Sequence, residues 1–592
     1  MNDLLKRIAD LSPEKRGLLA QRLKGTQKVS SAAKRIPRHN GSGDLPLSYA
    51  QQRLWFLDQL RPGDATYNIP AAVRLRGSLN VKAMEDALSE VVRRHEILRT
   101  TFPAVAAQPR QVIHSAQPIR LPVKSLMSLP EDLREDEVRR LARLNSSEPF
   151  DLAHGPLLRA SLTQIGDEDY VLMFTIHHII SDGWSLGVMV REVGVLYEAF
   201  YKGETSPLPE MAIQYKDYAV WQQQPFHQEL FAQQLEYWKK QLAGLHPTID
   251  LSTRPRPPVQ SFRGSVEEFA LPEKLSQSIL ELGQREGATL FMTLLTAFSV
   301  LLHRYTGRND LVVGTDVANR NSSDTEGLIG FFINQLIVRA HTSGDPTFRE
   351  LLRRLKDVAL DGFANQELPF ERLVAALQPE RSLSYTPLFQ VKLVVQNTPV
   401  EPIGLHGLTL EPFTVHNGTV GFDLILTVAE STNKLQGSLE YNTDIFDAAA
   451  IQRLLGHYET ILKSAVSDPE LRISQLPMLT FAERRQLLGD FNRSNTDLSA
   501  PVPCLHQLFE QQVASFPDHP ALVAGSVQLS YSELNSRANQ LAHFLRRLGV
   551  GAEVRVGLCV ERSVEMVVGI LGVLKAGGAY VPLDPQYPSE RL

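Results

Sequence analysis

The amino-acid sequence predicts an α/β fold with two lobes of about 200 residues each. Three observations support this prediction. From Leu45 to about Pro477, segments with helical spacing alternate with short apolar runs. The run D-Y-V-L-M-F-T-I-H-H-I-I, residues 169–180, is almost continuously apolar and rich in β-branched side chains, which is typical of a strand buried on both faces. With 592 residues, the chain is also too long for a single hydrophobic core.

The helices and strands of the two lobes are predicted in chain order from hydrophobic spacing. The predicted helices cover 81–95, 185–200 and about 286–304. The predicted strands cover 169–180, 311–313 and 389–395. We therefore expect an N-lobe over about 45–220 and a C-lobe over about 221–477.

Residues 1–44 are predicted to form a basic leader helix and a linker. Ser12 is a suitable N-cap, Pro13 occupies the first helical position, and Gly25 is suited to end the helix. Residues 1–40 contain ten Lys and Arg residues against three Asp and Glu residues. Such a helix either docks an acidic partner or is a solvated leader, and the sequence leaves both open.

A further unit is predicted after a turn-rich linker at 478–504. This unit covers 505–592, with a strand at 554–560 and a helix at 564–575. The segment G-G-A-Y-V-P-L-D-P follows at 577–585, shortly before the last residue of the sequence. We expect this unit to be an incomplete domain.

Composition and charge exclude several classes of protein. The net charge of −5 gives no overall attraction to nucleic acid or to an anionic membrane. Cys504 and Cys559 are the only cysteines, which excludes a disulfide framework and a cysteine-based metal site. The sequence shows no signal peptide and no apolar run long enough to span a bilayer. We expect a cytoplasmic protein.

The stretch T-I-H-H-I-I-S-D-G-W-S-L-G, residues 175–187, offers two candidate catalytic arrangements. One is G-x-S-x-G at 183–187, with Ser185 as a nucleophile. A nucleophile elbow needs its serine on a sharp turn directly after a strand, whereas this strand is expected to end near Ile180. Because Ser185 precedes an apolar-periodic segment, we interpret it instead as a helix N-cap.

The other arrangement uses the histidine pair. Neighbouring side chains in a strand point to opposite faces, so His177 and His178 cannot share one cavity or readily chelate one metal. We expect one of them to be buried and the other to face a site, because sites in α/β folds are built at strand ends. Asp182 is predicted to brace the turn. As a buried carboxylate it needs a cationic partner, and Arg94 and Arg99 are the candidates.

These residues resemble a known family. H-H-I-I-S-D-G resembles the H-H-x-x-x-D-G core of nonribosomal peptide synthetase condensation domains, which belong to the chloramphenicol-acetyltransferase-like superfamily. Six further motifs resemble those of the same family in the same order, with Gln335 where many members have Thr. These motifs lie at 48–57, 94–102, 215–221, 329–335, 365–371 and 381–389.

The C-terminal unit resembles the start of an amino-acid adenylation domain. L-S-Y-S-E-L at 529–534 and L-K-A-G-G-A-Y-V-P-L-D-P at 574–585 are similar to the first two motifs of that family. Its phosphate loop and catalytic lysine are expected beyond Leu592. We therefore expect no adenylation activity from this sequence, which resembles the opening of a longer synthetase.

The resemblance implies two chloramphenicol-acetyltransferase-like lobes in a V-shaped pseudo-dimer with a central tunnel. The implied reaction joins the amine of a carrier-bound aminoacyl acceptor to a donor acyl thioester. The implied partners are a downstream peptidyl carrier protein, an adenylation domain on the same longer chain, and either a donor carrier protein or acyl-CoA in trans. The carriers supply 4′-phosphopantetheine arms, and this chain itself is expected to bind no cofactor and no metal.

The resemblance also implies roles for individual residues. His178 is the active histidine, and His177 supports it structurally. Asp182 holds the loop by pairing with Arg94 or Arg99. The backbone N–H of Gly183 orients the thioester or its oxyanion. Further tunnel or substrate contacts are expected from Trp184, Ser185 and Asn334.

Several alternatives remain open at this point. The donor is a fatty acyl, polyketide or peptidyl group of L or non-chiral type. A stand-alone acyl-CoA-dependent N-acyltransferase and a non-catalytic carrier-docking domain are the competing functions. His178 acts either as a general base or as a residue that positions the amine.

Overall fold

A computed structural model describes residues 35–39, 41, 44–105, 108–245, 249–380, 382–396, 405–431, 434–492 and 503–592. The predicted leader helix near residues 12–25 lies outside these ranges. The chain divides into two compact units, Met1–Arg484 and Arg485–Leu592.

The helices occur in both units. They are α1 Tyr49–Leu60, α2 Val81–Arg94, α3 Glu131–Ser147, α4 Gly183–Tyr201, α5 Tyr215–Trp221, α6 Pro225–Gln241, α7 Glu273–Glu286, α8 Leu290–Thr306, α9 Ser323–Glu326, α10 Phe348–Ala364, α11 Phe370–Leu377, α12 Ala448–Ser467, α13 Phe481–Leu488, α14 Leu505–Ser515, α15 Tyr531–Arg547 and α16 Val564–Ala576. Short 3₁₀ turns cover Glu96–Arg99, His178–Ile180 and Asp490–Asn492.

The strands form two large sheets and several two-stranded ones. They are β1 Asn68–Gly77, β2 Thr100–Thr101, β3 Ala104–Val105, β4 Gln108–Pro109, β5 Val112–Ile113, β6 Val123–Ser125, β7 Leu158–Gly166, β8 Asp169–His177, β9 Gly264–Ala270, β10 Asp310–Val317, β11 Asn334–His341, β12 Val391–Gln396, β13 Leu408–Phe413, β14 Leu424–Ser431, β15 Lys434–Asn442, β16 Pro520–Ala524, β17 Val527–Ser530, β18 Arg555–Cys559 and β19 Ala579–Leu583.

The first lobe is built on a five-stranded sheet in the order β13-β1-β8-β7-β6. On one face, Leu172 and Ile176 of β8 join the core that also contains residues of α2 and α4. On the other face, Val171 and Met173 pack with Val138 of α3. The predicted burial of this strand on both faces is therefore confirmed.

The second lobe is built on a six-stranded sheet in the order β11-β10-β12-β14-β15-β9. Helices α7, α8, α10 and α12 cover one face and supply a large apolar core. The opposite face packs in part against α6 and α11. The predicted helix and strands of this lobe appear as α8, β10 and β12, with bounds shifted by a few residues.

One strand departs from the predicted lobe bounds. β13 lies in the part of the sequence assigned to the C-lobe, yet it pairs antiparallel with β1 of the first sheet, from Ala72↔Phe413 to Gly77↔Leu408. An edge strand presents unpaired backbone groups, and β13 satisfies those of β1. The C-lobe part of the sequence therefore contributes one strand to the first sheet, which hydrophobic spacing alone does not predict.

The unit Arg485–Leu592 contains two small sheets, β16-β17 and the parallel pair β18-β19. Helix α16 lies between β18 and β19 in sequence, as the connection of a parallel pair requires. The predicted strand and helix of this unit correspond to β18 and α16.

No single helix in the described ranges has the length and apolar composition needed to cross a membrane. Helices α7 and α8 have the required length and apolar composition only when taken together, and they are bent by 105° relative to each other.

Candidate active site

The site lies where β8 leaves the first sheet. The sequence predicts a strand to residue 180, but β8 ends at His177. The reason is local, because the His177 imidazole accepts a hydrogen bond from the backbone N–H of Ile179 at 3.2 Å and starts a 3₁₀ turn. The backbone N–H of Ser181 closes the turn on the His178 carbonyl at 3.2 Å. Helix α4 then begins at Gly183.

His177 is a core residue. Its side chain is buried, and its ring lies edge-on to Phe150 with 6.1 Å between the ring centroids. Because Nδ1 accepts the Ile179 N–H, the imidazole is neutral and its proton is on Nε2. Burial lowers the pKa of His177 from 6.5 to about 3.

We predict that His177 makes the protein sensitive to acid. Below pH 6.5 the unfolded chain binds a proton that the folded chain excludes until about pH 3, so the free energy of unfolding falls as the pH falls. The linked loss is up to about 1.4 kcal/mol per pH unit. The variant His177→Asn, whose carbonyl oxygen replaces Nδ1, is expected to show a shallower slope in urea denaturation between pH 6.5 and 4. An unchanged slope, equal to that of the exposed control His154→Asn, would exclude this role.

His178 has one nitrogen engaged and one available. Nδ1 lies 2.7 Å from the carbonyl oxygen of Ser181, and a carbonyl only accepts, so Nδ1 carries the proton and donates. In the neutral ring this leaves a lone pair on Nε2. Nε2 makes no hydrogen bond to any residue that the structure describes. The backbone N–H of His178 donates to the backbone carbonyl of Tyr67 at 2.8 Å, which fixes the position of the residue.

The surroundings keep the His178 ring neutral. The ring packs against Phe331 with 4.7 Å between the ring centroids. Burial lowers the pKa of His178 below 6.5, although the Ser181 carbonyl and the charges of Asp182 and Asp316 act in the opposite direction. A half-buried, neutral imidazole with a free Nε2 is chemically suited to accept a proton near neutral pH.

Asp182 braces the loop, but not through the predicted partners. Its carboxylate is fully buried and pairs with Arg320, with Nη2 3.1 Å from Oδ1. The backbone N–H of Phe332 donates to Oδ2 at 3.0 Å, and that of Ser185 donates to Oδ1 at 2.8 Å. The guanidinium of Arg320 also stacks on the ring of Phe332 at 4.0 Å. The carboxylate therefore joins the two lobes at the start of α4.

The expected pairing of Asp182 with Arg94 or Arg99 is thus wrong. Arg94 is buried against Glu192, with Nε 3.1 Å from Oε2, and also donates to the Pro209 carbonyl at 2.8 Å. Arg99 donates to the carbonyl of His114. The sequence prediction missed Arg320. The feature that could have marked it as a candidate is its position three residues after the buried strand β10. Its partner lies 138 residues away, and local spacing carries no information about such a contact.

Ser185 is not the N-cap that the sequence suggested. Asp182 caps α4 and Ser185 lies in the first helical turn. The Ser185 hydroxyl is buried and lies 2.7 Å from Asp182 Oδ1 and 2.9 Å from the Gly330 carbonyl. It also accepts from the Gly330 backbone N–H at 3.0 Å and from Arg320 at 2.9 Å. Its hydrogen-bonding capacity is used, and no free base adjoins it.

We predict that Ser185 is structural. A fluorophosphonate probe should leave the protein unlabelled in an intact-mass measurement. Ser185→Ala should lower the free energy of unfolding by about 1–3 kcal/mol, because buried donors lose their acceptor. Ser115→Ala, at an exposed position, is the matched control. Labelling that disappears in Ser185→Ala would instead establish a nucleophile.

Gly330 shows how tightly the lobes meet here. A Cβ on Gly330 would lie 1.9 Å from Cδ2 of Tyr215, so only glycine fits. The Tyr215 hydroxyl bonds to Ser48 at 2.9 Å and to the Phe331 carbonyl. The junction beside His178 is therefore fixed by close packing as well as by the Asp182 ion pair.

Gly183 and Trp184 are placed differently. Gly183 is exposed, and a Cβ there would meet no heavy atom within 4 Å, so space is open beside the start of α4. The Trp184 indole donates to the Glu326 carbonyl at 2.9 Å and lies near the guanidinium of Arg320. The Trp184 side chain thus ties the two lobes together, and its predicted contact with substrate stays a prediction.

Asn334 does not have the capacity for the predicted substrate contact. Its Nδ2 donates to the carbonyls of Gln366 and Leu368, each at 2.8 Å. Its Oδ1 accepts from the backbone N–H groups of Gln335 and Phe370, each at 3.0 Å. All four bonds of the amide are used. We correct its role to a brace between β11 and the loop before α11.

Among the residues that the structure describes, no three His, Cys, Asp or Glu side chains form a group that could hold a metal ion.

Comparison with known families assigns the chain. The family model for the condensation domain matches residues 42–488, and that for AMP-binding enzymes matches residues 509–592. Because the first match covers well over half of the sequence, the chain belongs to the condensation-domain family. The second match is the start of an adenylation domain, so the predicted combination of the two is confirmed.

Curated relatives are synthases and synthetases that are longer than this chain. The chain is 45% identical over 579 residues to a linear gramicidin synthase of Brevibacillus parabrevis, covering 97% of this chain and 8% of that protein. It is 39% identical over 600 residues to the phosphinothricin tripeptide synthetase of Streptomyces viridochromogenes, covering 100% of this chain and 55% of that protein. The chain therefore spans less than two thirds of the length of either relative.

Solved structures agree with the fold. The X-domain from teicoplanin biosynthesis has a TM-score of 0.69 at 30% identity, covering 76% of this chain and 100% of that one. A four-domain nonribosomal peptide synthetase bound to AMP and glycine has a TM-score of 0.80 at 26% identity, covering 93% of this chain and 42% of that one. The predicted α/β fold with two lobes and an adenylation fragment is thus confirmed.

Proposed function

We propose that the chain forms amide bonds, joining the amine of an aminoacyl acceptor to a donor acyl thioester. The observation that carries this proposal is the free Nε2 of His178. Its proton is held on Nδ1 by the Ser181 carbonyl at 2.7 Å, which leaves a basic nitrogen at the loop between β8 and α4. Membership of the condensation-domain family supports the same chemistry.

The proposed step balances without any further reactant. The acceptor nitrogen attacks the thioester carbonyl carbon, and a C–N bond forms as the C–S bond breaks. Nε2 of His178 takes a proton from the nitrogen and returns it to the departing sulfur. The products are an amide on the acceptor and a free thiol on the donor arm, and His178 is neutral again.

Two effects contribute to the rate in this proposal. An α-amino group has a pKa of about 7.7–8, so part of the acceptor is already neutral near pH 7.5. Proton removal by a positioned base contributes roughly 10²–10⁴-fold. Holding two tethered reactants together reaches effective molarities of about 10⁵–10⁸ M. Positioning therefore contributes at least as much as base catalysis by His178.

Gly183 is proposed to orient the donor. Helix N-termini carry unpaired N–H groups and partial positive charge, which favour a developing oxyanion. The backbone N–H of Gly183 stands at the start of α4, five residues after His178 and beside open space. We propose that it donates to the thioester oxygen as negative charge develops there.

The partners are proposed from the same chemistry. The reacting thioesters are carried on 4′-phosphopantetheine arms of an acceptor carrier protein and of a donor carrier protein, with acyl-CoA as the alternative donor. The donor acyl group is fatty acyl, polyketide or peptidyl. We propose domain bounds of about 45–477 for the condensation domain and 505–592 for the adenylation fragment. One relative is named as a tripeptide synthetase, which supports aminoacyl and peptidyl substrates.

The test is amide formation itself. The chain is incubated with a glycyl-loaded carrier protein and, in separate reactions, with peptidyl, fatty acyl and polyketide thioesters on a carrier or on CoA. Intact mass of the acceptor carrier should increase by the donor acyl group for at least one donor. A turnover with carrier-bound donors and none with CoA excludes the stand-alone acyltransferase. No mass increase with any donor, despite carrier binding, would support a docking domain instead.

A further inference from the structure

A second charged group lies in the part of the second lobe that meets the His178 loop. Asp316 is near the end of β10 and pairs directly with Gln335 of β11. Residues opposite each other in an antiparallel pair project from the same face of the sheet. Gln335 follows Phe331 by four residues, and the Phe331 ring packs against His178 at 4.7 Å. The charge of Asp316 acts to raise the pKa of His178, against the lowering effect of burial.

The two oxygens of Asp316 are in different situations. Oδ2 forms an ion pair with Nζ of Lys392 at 2.6 Å, and the Lys392 side chain is only 9% exposed. Oδ1 is buried and has no hydrogen-bond partner within the part of the chain that the structure describes. Lys392 therefore balances the charge and holds one oxygen, while the other oxygen lacks a donor.

A buried carboxylate oxygen without a donor is costly, so it points to a group that arrives from outside. Neighbouring acceptor atoms are already engaged. Oε1 of Gln335 accepts from Arg53 at 2.8 Å, and the amide of Asn334 makes four bonds. Asp316 Oδ1 is thus, together with His178 Nε2, an acceptor left for a bound molecule.

We propose that Asp316 is a positioning residue that binds the α-ammonium group of the acceptor through Oδ1 and holds it near His178. The bound group releases one proton to solvent, and the neutral amine then attacks as described above. This inference rests on the proposed function, since it names the group that recognises the acceptor. A cation with several N–H donors matches a carboxylate oxygen that lacks one, and such charge-assisted bonds are about twice as strong as neutral ones. The ammonium form is mostly present at pH 6.5 because its pKa is about 7.7–8.

The experiment compares two non-reactive probes on the full chain. Glycyl-pantetheine amide carries the ammonium group, and acetyl-pantetheine amide lacks it but is otherwise matched. Calorimetry at pH 6.5 should show about tenfold tighter binding of the glycyl probe to the wild type, as a charge-assisted bond implies. Asp316→Asn should abolish this preference while binding of the acetyl probe is unchanged, and Asp316→Glu should restore part of it.

Lys392 requires its own control, because Asp316→Asn leaves its ammonium buried without a counter-charge. The double variant Asp316→Asn/Lys392→Met removes both charges and should also lack the preference. In single-turnover assays, both variants should raise the acceptor concentration for half-maximal rate about tenfold, with a smaller change in the maximal rate. A glycyl preference that survives in both variants, or equal binding of both probes to the wild type, overturns the inference and leaves the proposed function standing. If the wild type binds neither probe, the inference fails, and the proposed function is judged by the amide-formation assay on loaded carriers.

Discussion

His178→Ala is expected to lower the single-turnover rate of amide formation by roughly 10²–10⁴-fold, the range for loss of a positioned base. The reason is the single free nitrogen at the end of β8, because Nδ1 is committed to the Ser181 carbonyl. The rate is measured by quenching the reaction of loaded carriers at several times and determining the intact mass of the acceptor carrier. Binding of both carriers should be unchanged, because the substitution alters only the loop at residue 178 and no other part of the surface.

Two further variants distinguish between the possible roles of His178. His154→Ala, at an exposed histidine, should react at the wild-type rate. His178→Gln retains a polar side chain without a base of suitable pKa, so it separates hydrogen bonding from proton removal. If His178→Gln retains most of the rate, His178 positions the amine; if it is as slow as His178→Ala, His178 moves the proton. A near-full rate in His178→Ala would exclude both roles.

Asp182→Ala should be among the most destabilising single substitutions in the first unit. It leaves the Arg320 guanidinium, whose side chain is 2% exposed, without its counter-charge, and it removes the cap of α4. Breaking a buried ion pair from one side costs about 3–5 kcal/mol. We expect a lower urea midpoint, and low yield of folded protein, measured by tryptophan fluorescence with Trp184 as a nearby reporter.

The controls separate stability from catalysis. Glu198→Ala, in the last turn of the same helix, breaks an exposed pair with Lys202 and should leave the midpoint unchanged. Asp182→Asn/Arg320→Met removes both charges and should recover part of the stability lost in Asp182→Ala. A variant Asp182→Ala that keeps wild-type stability but loses amide formation would show that Asp182 acts on the substrate directly.

Much of the fold followed from spacing along the chain. The buried strand β8, helix α4 and strands β10 and β12 of the second lobe have apolar patterns that a local segment carries by itself. The end of β8 could not be predicted from spacing, because the hydrogen bond from the Ile179 N–H to His177 depends on one side-chain orientation. The placement of β13 beside β1 could not be predicted from spacing either, since pairing between distant strands depends on the whole chain.

The site divides in the same way. The histidine pair and its opposite placement followed from strand geometry, and the family resemblance selected His178. The partner of Asp182 was predicted wrongly because several arginines satisfy the same chemical requirement, and only the contact between the lobes selects Arg320. Asp316 was not predicted, because nothing local distinguishes a carboxylate near the end of a strand from a solvated one.

The most direct test is the protonation state of the His178 imidazole at neutral pH. Nitrogen-15 NMR of protein labelled at histidine, with His178→Gln to assign the signal, reports which ring nitrogen carries a proton. We predict a neutral ring at pH 7 with the proton on Nδ1, and a pKa below 6.5. A proton on Nε2, or an imidazolium at pH 7, would contradict a free base at this position.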